Sequence, residues 1–214
     1  FRAHGIVRIE TLEALFEMPP LLIGQRPPKG RKVGVMTTTG GGASTVVDRL
    51  GTVGLDVIPA PDAVHARLAE FDLTIGHGPL IDLTMAGTRD GVYGAALQAL
   101  LDSDACDAVV CVVGSSAQFH PELAVAPIVA TASNAHKPVA AFMVPQADAS
   151  LKLLADAGIA AFRTPEACAD AMRAFFAWEA PTQMGLAAQV ADPQAADSAV
   201  SGTLDEAASL ALFD

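Results

Sequence analysis

The chain has 214 residues, of which 51% are hydrophobic, and a formal charge of −11 at pH 7. It is long enough to bury one substantial core, so a single domain with extensions is expected. The acidic balance and the scattered Lys and Arg residues argue against a nucleic-acid surface. Apolar runs such as 108–113 and 139–144 are far shorter than the ~20 residues that a membrane span requires.

The cysteines indicate a reducing compartment. Cys106, Cys111 and Cys168 are odd in number and lack metal-ligand spacing. We expect all three to be buried free thiols, which favours a cytoplasmic location. No signal peptide is apparent. Because the first residue is Phe1 and not Met, we expect the natural start of the chain to lie upstream.

Residues 1–31 are expected to be an extension from a preceding domain. Gly5 occupies the position that closes a helical turn, residues 6–9 are predicted as a short strand, and Thr11 can cap a helix. That helix is predicted to carry Leu12, Leu15 and Phe16 on one face and to stop at Pro19-Pro20.

Residues 32–178 alternate regularly between predicted strands and helices. Strands are predicted at 33–36, 55–58, 107–113, 138–144 and 159–162. Helices are predicted after the glycines at 40–42 and at 63–69, 88–101, 121–133, 149–156 and 165–178. This repeat predicts a three-layer α/β fold, with a parallel sheet, right-handed crossovers and helices on both faces.

The composition changes after residue 178. Residues 179–203 are rich in Ala, Gln, Asp, Ser and Pro without a hydrophobic period, which predicts a linker. Thr203 can cap an amphipathic segment over 204–214, which we expect to begin a following domain. Because that segment has no helix stop signal, we expect a longer protein.

The stretch 32–50, KVGVMTTTGGGASTVVDRL, joins a short strand, three glycines and the start of a helix. The first N–H groups of a helix lack intrahelical partners and lie at the positive end of its dipole, so they attract anions. Glycines at 40–42 let the backbone approach a ligand closely. Hydroxyl donors can come from Thr37, Thr38, Thr39 and Ser44. An anion site and a tight turn without a ligand both remain open, while dinucleotide and Walker-loop patterns are absent.

Three loops are expected at the carboxyl edge of the sheet, where ligands bind in open parallel sheets. They are 37–44, 82–87 and 114–118, and each is rich in glycine or hydroxyl groups. Together they can offer backbone amides to a phosphate or a carboxylate. Asp82 can act there as an acceptor or base, or it can form a turn with its own neighbouring backbone.

The histidines do not form a diagnostic site. His4, His65 and His136 have polar neighbours and are expected to be solvated, whereas His77 and His120 lie in positions more open to a substrate. Neither His77 nor His120 has a carboxylate or Cys partner at a diagnostic spacing, and no metal-ligand set is predicted.

Several stretches occur in a characteristic order: FRAHGIVRIETLEALFE, VGVMTTTGGGASTVVDRLGTVGLDV, PLIDLT, DAVVCVV, KPVAAFM and LADAGIAAFRTPEACADAM. In order and spacing they resemble the NDP-forming acyl-CoA synthetases, the acetate–CoA ligase relatives of succinyl-CoA synthetase. The resemblance covers nearly the whole chain. It implies a flavodoxin-like domain similar to the carboxyl-terminal domain of the succinyl-CoA synthetase β subunit.

The resemblance also implies roles for two sets of residues. In the family, a glycine loop and its helix help to hold a phosphorylated histidine, which implies phosphate binding by Gly40, Gly41, Gly42, Ala43 and Ser44. It also implies that Gly114, Ser115 and Ser116 lie close to the acyl carboxylate. From the loops at the same sheet edge, we further expect substrate contacts from Thr38 and Asp82. The family's Ser-Gly-Gly-Pro-like loop is Thr-Gly-Gly-Gly here.

The resemblance implies an acid–CoA ligase that works through acyl phosphate and phosphohistidine. The family's Ser-His-Thr-Gly-like motif does not occur here and His4 does not match it, so no catalytic residue is expected within this chain. The phosphohistidine and CoA-binding domain is expected upstream, and an ATP-grasp domain from about Leu204. These domains, in the same chain or a partner subunit of an oligomer, would bind CoA and ATP or ADP with Mg²⁺, and this piece alone is expected to be inactive.

Two other functions fit the same fold. A non-catalytic domain of the same fold, binding acyl-CoA or serving regulation and assembly, remains the alternative. An FMN-binding flavodoxin is disfavoured, because Tyr93 and Trp178 lie outside the strand-end loops where a flavin could stack.

Overall fold

The computed structural model describes residues 1–133 and 135–182. Its sheet contains β1 Lys32–Thr37, β2 Asp56–Ile58, β3 Ile81–Asp82, β4 Ala108–Val113, β5 Val139–Met143 and β6 Ala160–Phe162. All pairings are parallel, in the order β2-β1-β4-β5-β6, with β3 also paired to β1. Apart from the two-residue β3, this is the strand order of flavodoxin-like folds. The predicted α/β class is confirmed.

One edge of β1 is shared between two short strands. β2 pairs with Lys32–Gly34, and β3 pairs with Met36 and Thr37. β4 pairs along residues 33–37, so it occupies the other edge of β1. The chain therefore leaves the sheet after β2 and returns at the carboxyl end of β1, which places Asp82 directly opposite Thr37.

Helices cover both faces of the sheet. They are α1 Leu12–Glu17, α2 Pro19–Leu22, α3 Gly40–Thr52, α4 Asp62–Ala69, α5 Val92–Asp102, α6 Ser116–Phe119, α7 Pro121–Ala132, α8 Asp148–Asp156 and α9 Pro165–Phe176, with 3-10 turns Arg2–His4 and Thr84–Thr88. Helices α1, α3 and α9 contribute to one core, and α4, α5, α7 and α8 to the other. Among the described residues, no helix is long and apolar enough to cross a membrane.

Strand β4 explains why the central sequence shows no polar alternation. All six of its residues are buried. Val109, Cys111 and Val113 pack into the core with α4 and α5, whereas the alternate residues pack into the core with α3 and α9. A strand covered on both faces must be apolar at every position, as its run of valines predicted.

The N-terminal extension packs against α9. Residues 6–9 are not a strand, which corrects the prediction for them. The backbone N–H groups of Glu10 and Thr11 donate to the Asp170 carboxylate of α9, each at 2.8 Å. Thr11 caps α1 as predicted, because its hydroxyl accepts from the Ala14 N–H. Buried Glu17 pairs with Arg163, so α1 is held by charged groups as well as by Ala14.

The predicted apolar face of α1 is not the buried one. Leu12, Leu15 and Phe16 are 65%, 53% and 73% exposed. Ala14 is buried instead, on the helix α1 that contacts α9, together with Met18 and Leu21, which follow α1 in the chain. We call Leu12, Leu15 and Phe16 the N-terminal apolar strip.

Other boundaries also differ from prediction. Pro19 begins the one-turn helix α2, since proline is accommodated at a first helical position. The helix predicted from Thr88 begins at Val92, because residues 84–88 form a separate 3-10 turn. The short helix α6 was not predicted. Most of the predicted linker over 179–203, and all of the segment 204–214, lie outside the described residues.

Candidate functional site

The three predicted loops meet at the carboxyl edge of the sheet. A Cβ at Gly114 would lie 3.0 Å from the Thr39 Cβ, and one at Gly87 would lie 2.7 Å from the Thr38 Cγ2. A Cβ at Gly40 would lie 2.8 Å from the Asp82 Oδ2. The separation at Gly87 is shorter than real Cβ contacts, that at Gly114 is tighter than most of them, and that at Gly40 involves the flexible end of the Asp82 side chain. The glycines therefore let the loops after β1, β3 and β4 pack closely together.

The glycine run forms the first turn of α3, not a separate loop. Thr39 is the N-cap residue, but its side chain makes no capping hydrogen bond. The Ala43 N–H donates to the Thr39 carbonyl at 3.1 Å, so it is the first amide with a helical acceptor. The amides of Gly40, Gly41 and Gly42 precede it, at the positive end of the helix dipole. Gly41 is exposed, and a Cβ there would meet nothing within 4 Å.

Two of the predicted phosphate-binding residues are already engaged within α3. Ala43 is fully buried and its N–H bonds to Thr39. The Ser44 hydroxyl donates to the Gly40 carbonyl at 3.0 Å. The geometry therefore concentrates the available donors on the three glycine amides.

Thr37 shapes the loop and is not a free donor. Its buried hydroxyl accepts from the Thr39 N–H at 2.8 Å and lies 3.1 Å from the Val112 carbonyl of β4. This bridge joins two strand ends immediately before the glycines. Half-buried Thr38 packs its methyl group against Gly87, which places it at the junction of two loops.

Asp82 forms the turn that its sequence context allowed. Its Oδ1 accepts from the Thr84 N–H at 2.8 Å, and Thr84 has a φ of 49°. Its Oδ2 faces Gly40 at the start of α3. The carboxylate thus stabilises an unusual backbone conformation and lies at the positive end of a helix, where a negative charge is favoured.

A fourth loop, which follows β5, holds the loop after β4 in place. This fourth loop was not predicted from the sequence. Ser115 is exposed at the N-cap position of α6 without a side-chain capping bond, and Ser116 is half-buried. The Gln118 side chain donates to the Gln146 carbonyl at 2.8 Å. A Cβ at Gly42 would lie only 2.3 Å from the Val144 Cγ1. Val144 directly follows β5, so it lies at the same carboxyl edge as the three predicted loops. The end of this predicted strand could therefore have placed the fourth loop at the site.

The histidines lie away from a recognisable catalytic arrangement. His77 is exposed, and its ring centroid is 4.7 Å from that of His65. The prediction that His65 is solvated is wrong, since it is half-buried and its Nε2 has no hydrogen-bond partner among the described residues. His120 is exposed at the start of α7. No group of three or more potential metal ligands occurs within the described ranges.

The fold and this four-loop edge define a flavodoxin-like α/β domain in which the first turn of α3 lies at the carboxyl edge of the sheet. Neither a family model nor a curated protein matches the sequence. The fold is similar to that of PH0766 from Pyrococcus horikoshii OT3, with a TM-score of 0.66 at 22% identity. That alignment covers 81% of this chain and 41% of the other.

Two solved structures of one enzyme are more informative. They are of the dinucleotide-forming acetyl-coenzyme A synthetase 1 of Ca. Korarchaeum cryptofilum, one in complex with phosphate and ADP and one in the apo form. At 26% identity, the TM-scores are 0.64 and 0.65, covering 81% and 83% of this chain. The resemblance to NDP-forming acyl-CoA synthetases is confirmed. This chain spans only 38% and 40% of those chains.

Proposed function

We propose that this chain is part of an NDP-forming acid–CoA ligase, which makes acyl-CoA from a carboxylate, CoA and a nucleoside triphosphate. Acyl phosphate and a phosphohistidine are the proposed intermediates. The observation that carries the proposal is the first turn of α3, whose Thr39 side chain makes no capping bond and whose glycines lie where loops meet. Structural similarity to the acetyl-coenzyme A synthetase supports it.

In this proposal α3 stabilises the phosphoryl group during its transfer. The amides of Gly40, Gly41 and Gly42 donate to phosphoryl oxygens, and the helix dipole favours their negative charge. These donors are held rigidly by the packing of Gly42 against Val144, so little reorganisation is needed during reaction. Ser115 and Ser116 are proposed to lie near the acyl carboxylate.

The other groups come from outside this chain in the proposal. The histidine that carries the phosphoryl group belongs to a CoA-binding domain. CoA and ATP or ADP with Mg²⁺ are bound mainly by that domain and by an ATP-grasp domain. We propose that these domains belong to the same chain or to a partner subunit of an oligomer.

The test compares two substitutions at one open position in the complete protein. Gly41→Asp places a carboxylate in the first turn of α3, where it stabilises the fold by about 0.3–1 kcal/mol. It also repels the phosphoryl group, so phosphoenzyme formation should fall by roughly 100-fold, the scale of losing an oxyanion donor. Gly41→Ala meets no neighbouring atom and should retain transfer.

Phosphoenzyme labelling and acid- and CoA-dependent release of ADP or GDP measure these effects, and thermal unfolding controls for folding. Unchanged transfer in Gly41→Asp would refute the assignment of α3. No turnover by the complete wild-type protein across a broad panel of carboxylic acids would refute the enzyme itself.

A second candidate function is a non-catalytic assembly or acyl-CoA-binding domain. The N-terminal apolar strip is compatible with the assembly role, because three large apolar side chains on one short helix face solvent. The same strip would suit a contact with a neighbouring domain of the ligase. Turnover by the complete protein would favour the ligase, whereas acyl-CoA binding without turnover would favour the alternative.

A further inference from the structure

A cavity of about 310 Å³ lies at the opposite edge of the sheet from the glycine turn. Arg26, Lys29, Asp107, His136 and Lys137 are among the residues that line it. Asp107 and Lys137 stand just before β4 and β5, at the amino ends of these strands. Six-residue strands span about 20 Å, so this cavity cannot contact the ligand bound by α3.

The cavity collects cations that form no ion pair with any other residue in the described ranges 1–133 and 135–182. Ion pairs among the described residues engage six of the 13 Lys and Arg residues, at Arg2, Arg49, Arg67, Lys152, Arg163 and Arg173. Three of the remaining seven, Arg26, Lys29 and Lys137, line this cavity. In a chain of net charge −11, unpaired cations at one edge form a local positive field.

The one carboxylate that lines the cavity is already engaged. Asp107 Oδ2 accepts from the Lys32 N–H at 2.9 Å. The same carboxylate packs so tightly on Gly30 that a Cβ there would lie 2.1 Å from it. Asp56, opposite Lys32 in the β2 register, belongs to the neighbouring strand and does not line the cavity. Three cations therefore face the cavity against one carboxylate.

The side chains are placed to reach a ligand. Arg26 and Lys29 are exposed, on a connection with prolines at 27 and 28 that limits its backbone freedom. Lys137 is half-buried and donates to the Ser103 carbonyl, which anchors it at the cavity wall. His136 is exposed beside it and adds a further nitrogen.

We propose that this cavity is a second anion site, which binds the phosphate chain of a small polyphosphorylated ligand. Arg26 provides a planar fork that suits phosphate oxygens, and Lys29 and Lys137 provide point charges. The volume lies at the lower end of small-ligand pockets, which fits a di- or triphosphate group. The site is independent of the phosphoryl-transfer proposal, so either can fail alone.

The test titrates the 214-residue chain with tripolyphosphate, ATP and adenosine at physiological ionic strength, using calorimetry in metal-free buffer. Tripolyphosphate and ATP should bind, more weakly as salt rises, and adenosine should not. Arg26→Gln/Lys29→Gln should weaken binding by about tenfold or more, the loss expected for charge-assisted hydrogen bonds. Both side chains are exposed, so folding should be unchanged.

Two control variants locate the site. Lys152→Gln removes one positive charge from α8, where Lys152 pairs with Asp156. It should leave the binding of tripolyphosphate and ATP unchanged. Gly41→Asp should also leave binding unchanged. Equal affinities for tripolyphosphate and ATP would support recognition of the phosphate chain alone, and tighter ATP binding would support a nucleotide.

Three results would overturn the proposal. One is the absence of tripolyphosphate and ATP binding. Another is loss of binding in Gly41→Asp with retention in Arg26→Gln/Lys29→Gln, since the ligand would then lie on α3. The third is binding of poly-glutamate without binding of tripolyphosphate, which would indicate an acidic polypeptide as the partner.

Discussion

Asp170 shows at the residue scale how the N-terminal extension is held. Its carboxylate accepts from Arg173 at 2.6 Å and from the N–H groups of Glu10 and Thr11 at 2.8 Å. Burial alone would raise the pKa of Asp170, but the hydrogen bonds from Arg173, Glu10 and Thr11 lower that pKa below its ordinary value. The charged form is therefore the one that stabilises the fold.

Asp170→Asn should lower the free energy of unfolding by about 1–3 kcal/mol at pH 7, because it removes the charge that Arg173 and two amides share. A lowered folded-state pKa contributes stability above the unfolded pKa, near 3.9, and that stability is lost as pH falls through the folded pKa. The difference between wild type and variant should therefore shrink below about pH 4. Urea unfolding at pH 7 and below about pH 4 measures the difference in the free energy of unfolding between wild type and variant. An equal difference at the two pH values would contradict the stabilising role of the charged Asp170 carboxylate.

Gly42 provides a second test at the residue scale. In Gly42→Ala the new Cβ would lie 2.3 Å from Val144 Cγ1, and β-branched valine cannot easily rotate away. We expect a loss of about 1–3 kcal/mol by overpacking. Gly41→Ala is the matched control, since that position is open.

Chemical unfolding of both variants checks this contact. The double variant Gly42→Ala/Val144→Ala should recover part of the loss, because removing two methyl groups relieves the overlap. Equal stabilities for Gly41→Ala and Gly42→Ala would show that the loop after β5 does not press on α3.

At the scale of elements, α3 and α9 begin in different ways. Thr164 caps α9 by accepting from the Ala167 N–H at 3.1 Å, and Pro165 and Glu166 follow it. Thr39 makes no such bond at α3. The Thr164 side chain satisfies one amide of its own helix, whereas the first amides of α3 are open to water or a ligand.

Thr164→Ala should destabilise the protein by about 1 kcal/mol, the usual cost of losing a threonine cap. Thr45→Ala on exposed α3 surface is the control and should change stability by no more than about 0.5 kcal/mol. Thermal unfolding distinguishes the two variants. A neutral Thr164→Ala would indicate that α9 is held by its buried face alone.

For the whole molecule, the three cysteines report on the integrity of both cores. All three are free and buried, as the sequence predicted. Burial raises the pKa of Cys111 to about 12, and the nearby Tyr93 hydroxyl offsets only part of that rise. Burial, followed by the nearby Glu17 charge, raises the pKa of Cys168 as well. Cys111 belongs to one core and Cys168 to the other.

Thiol labelling with a disulfide reagent at pH 8 should therefore be slow in the native protein, because buried neutral thiols are poor nucleophiles. In denaturant all three thiols should react rapidly. The native labelling rate should fall further when stabilising salts suppress opening. Rapid native labelling of Cys111 or Cys168 would contradict the packing of the corresponding core.

Much of the fold follows from local pattern. The valine run at β4 and the Thr-Pro-Glu start of α9 were located to within one or two residues, because burial on two faces and helix capping act over short spans. The loops of the candidate site were also placed at one edge, since parallel strands end together. The exposed strip on α1 was not predicted, because its apolar period resembles that of a buried helix.

The sequence by itself determined the strand–helix alternation, the buried thiols and a glycine run positioned to begin a helix. Only the tertiary structure decided which groups surround that run. Gly42 meets Val144 and Gly40 meets Asp82 across large sequence separations, and the cations at 26, 29 and 137 converge in the same way. Local periodicity carries no information about such contacts, because they depend on how packed layers bring distant loops to one edge.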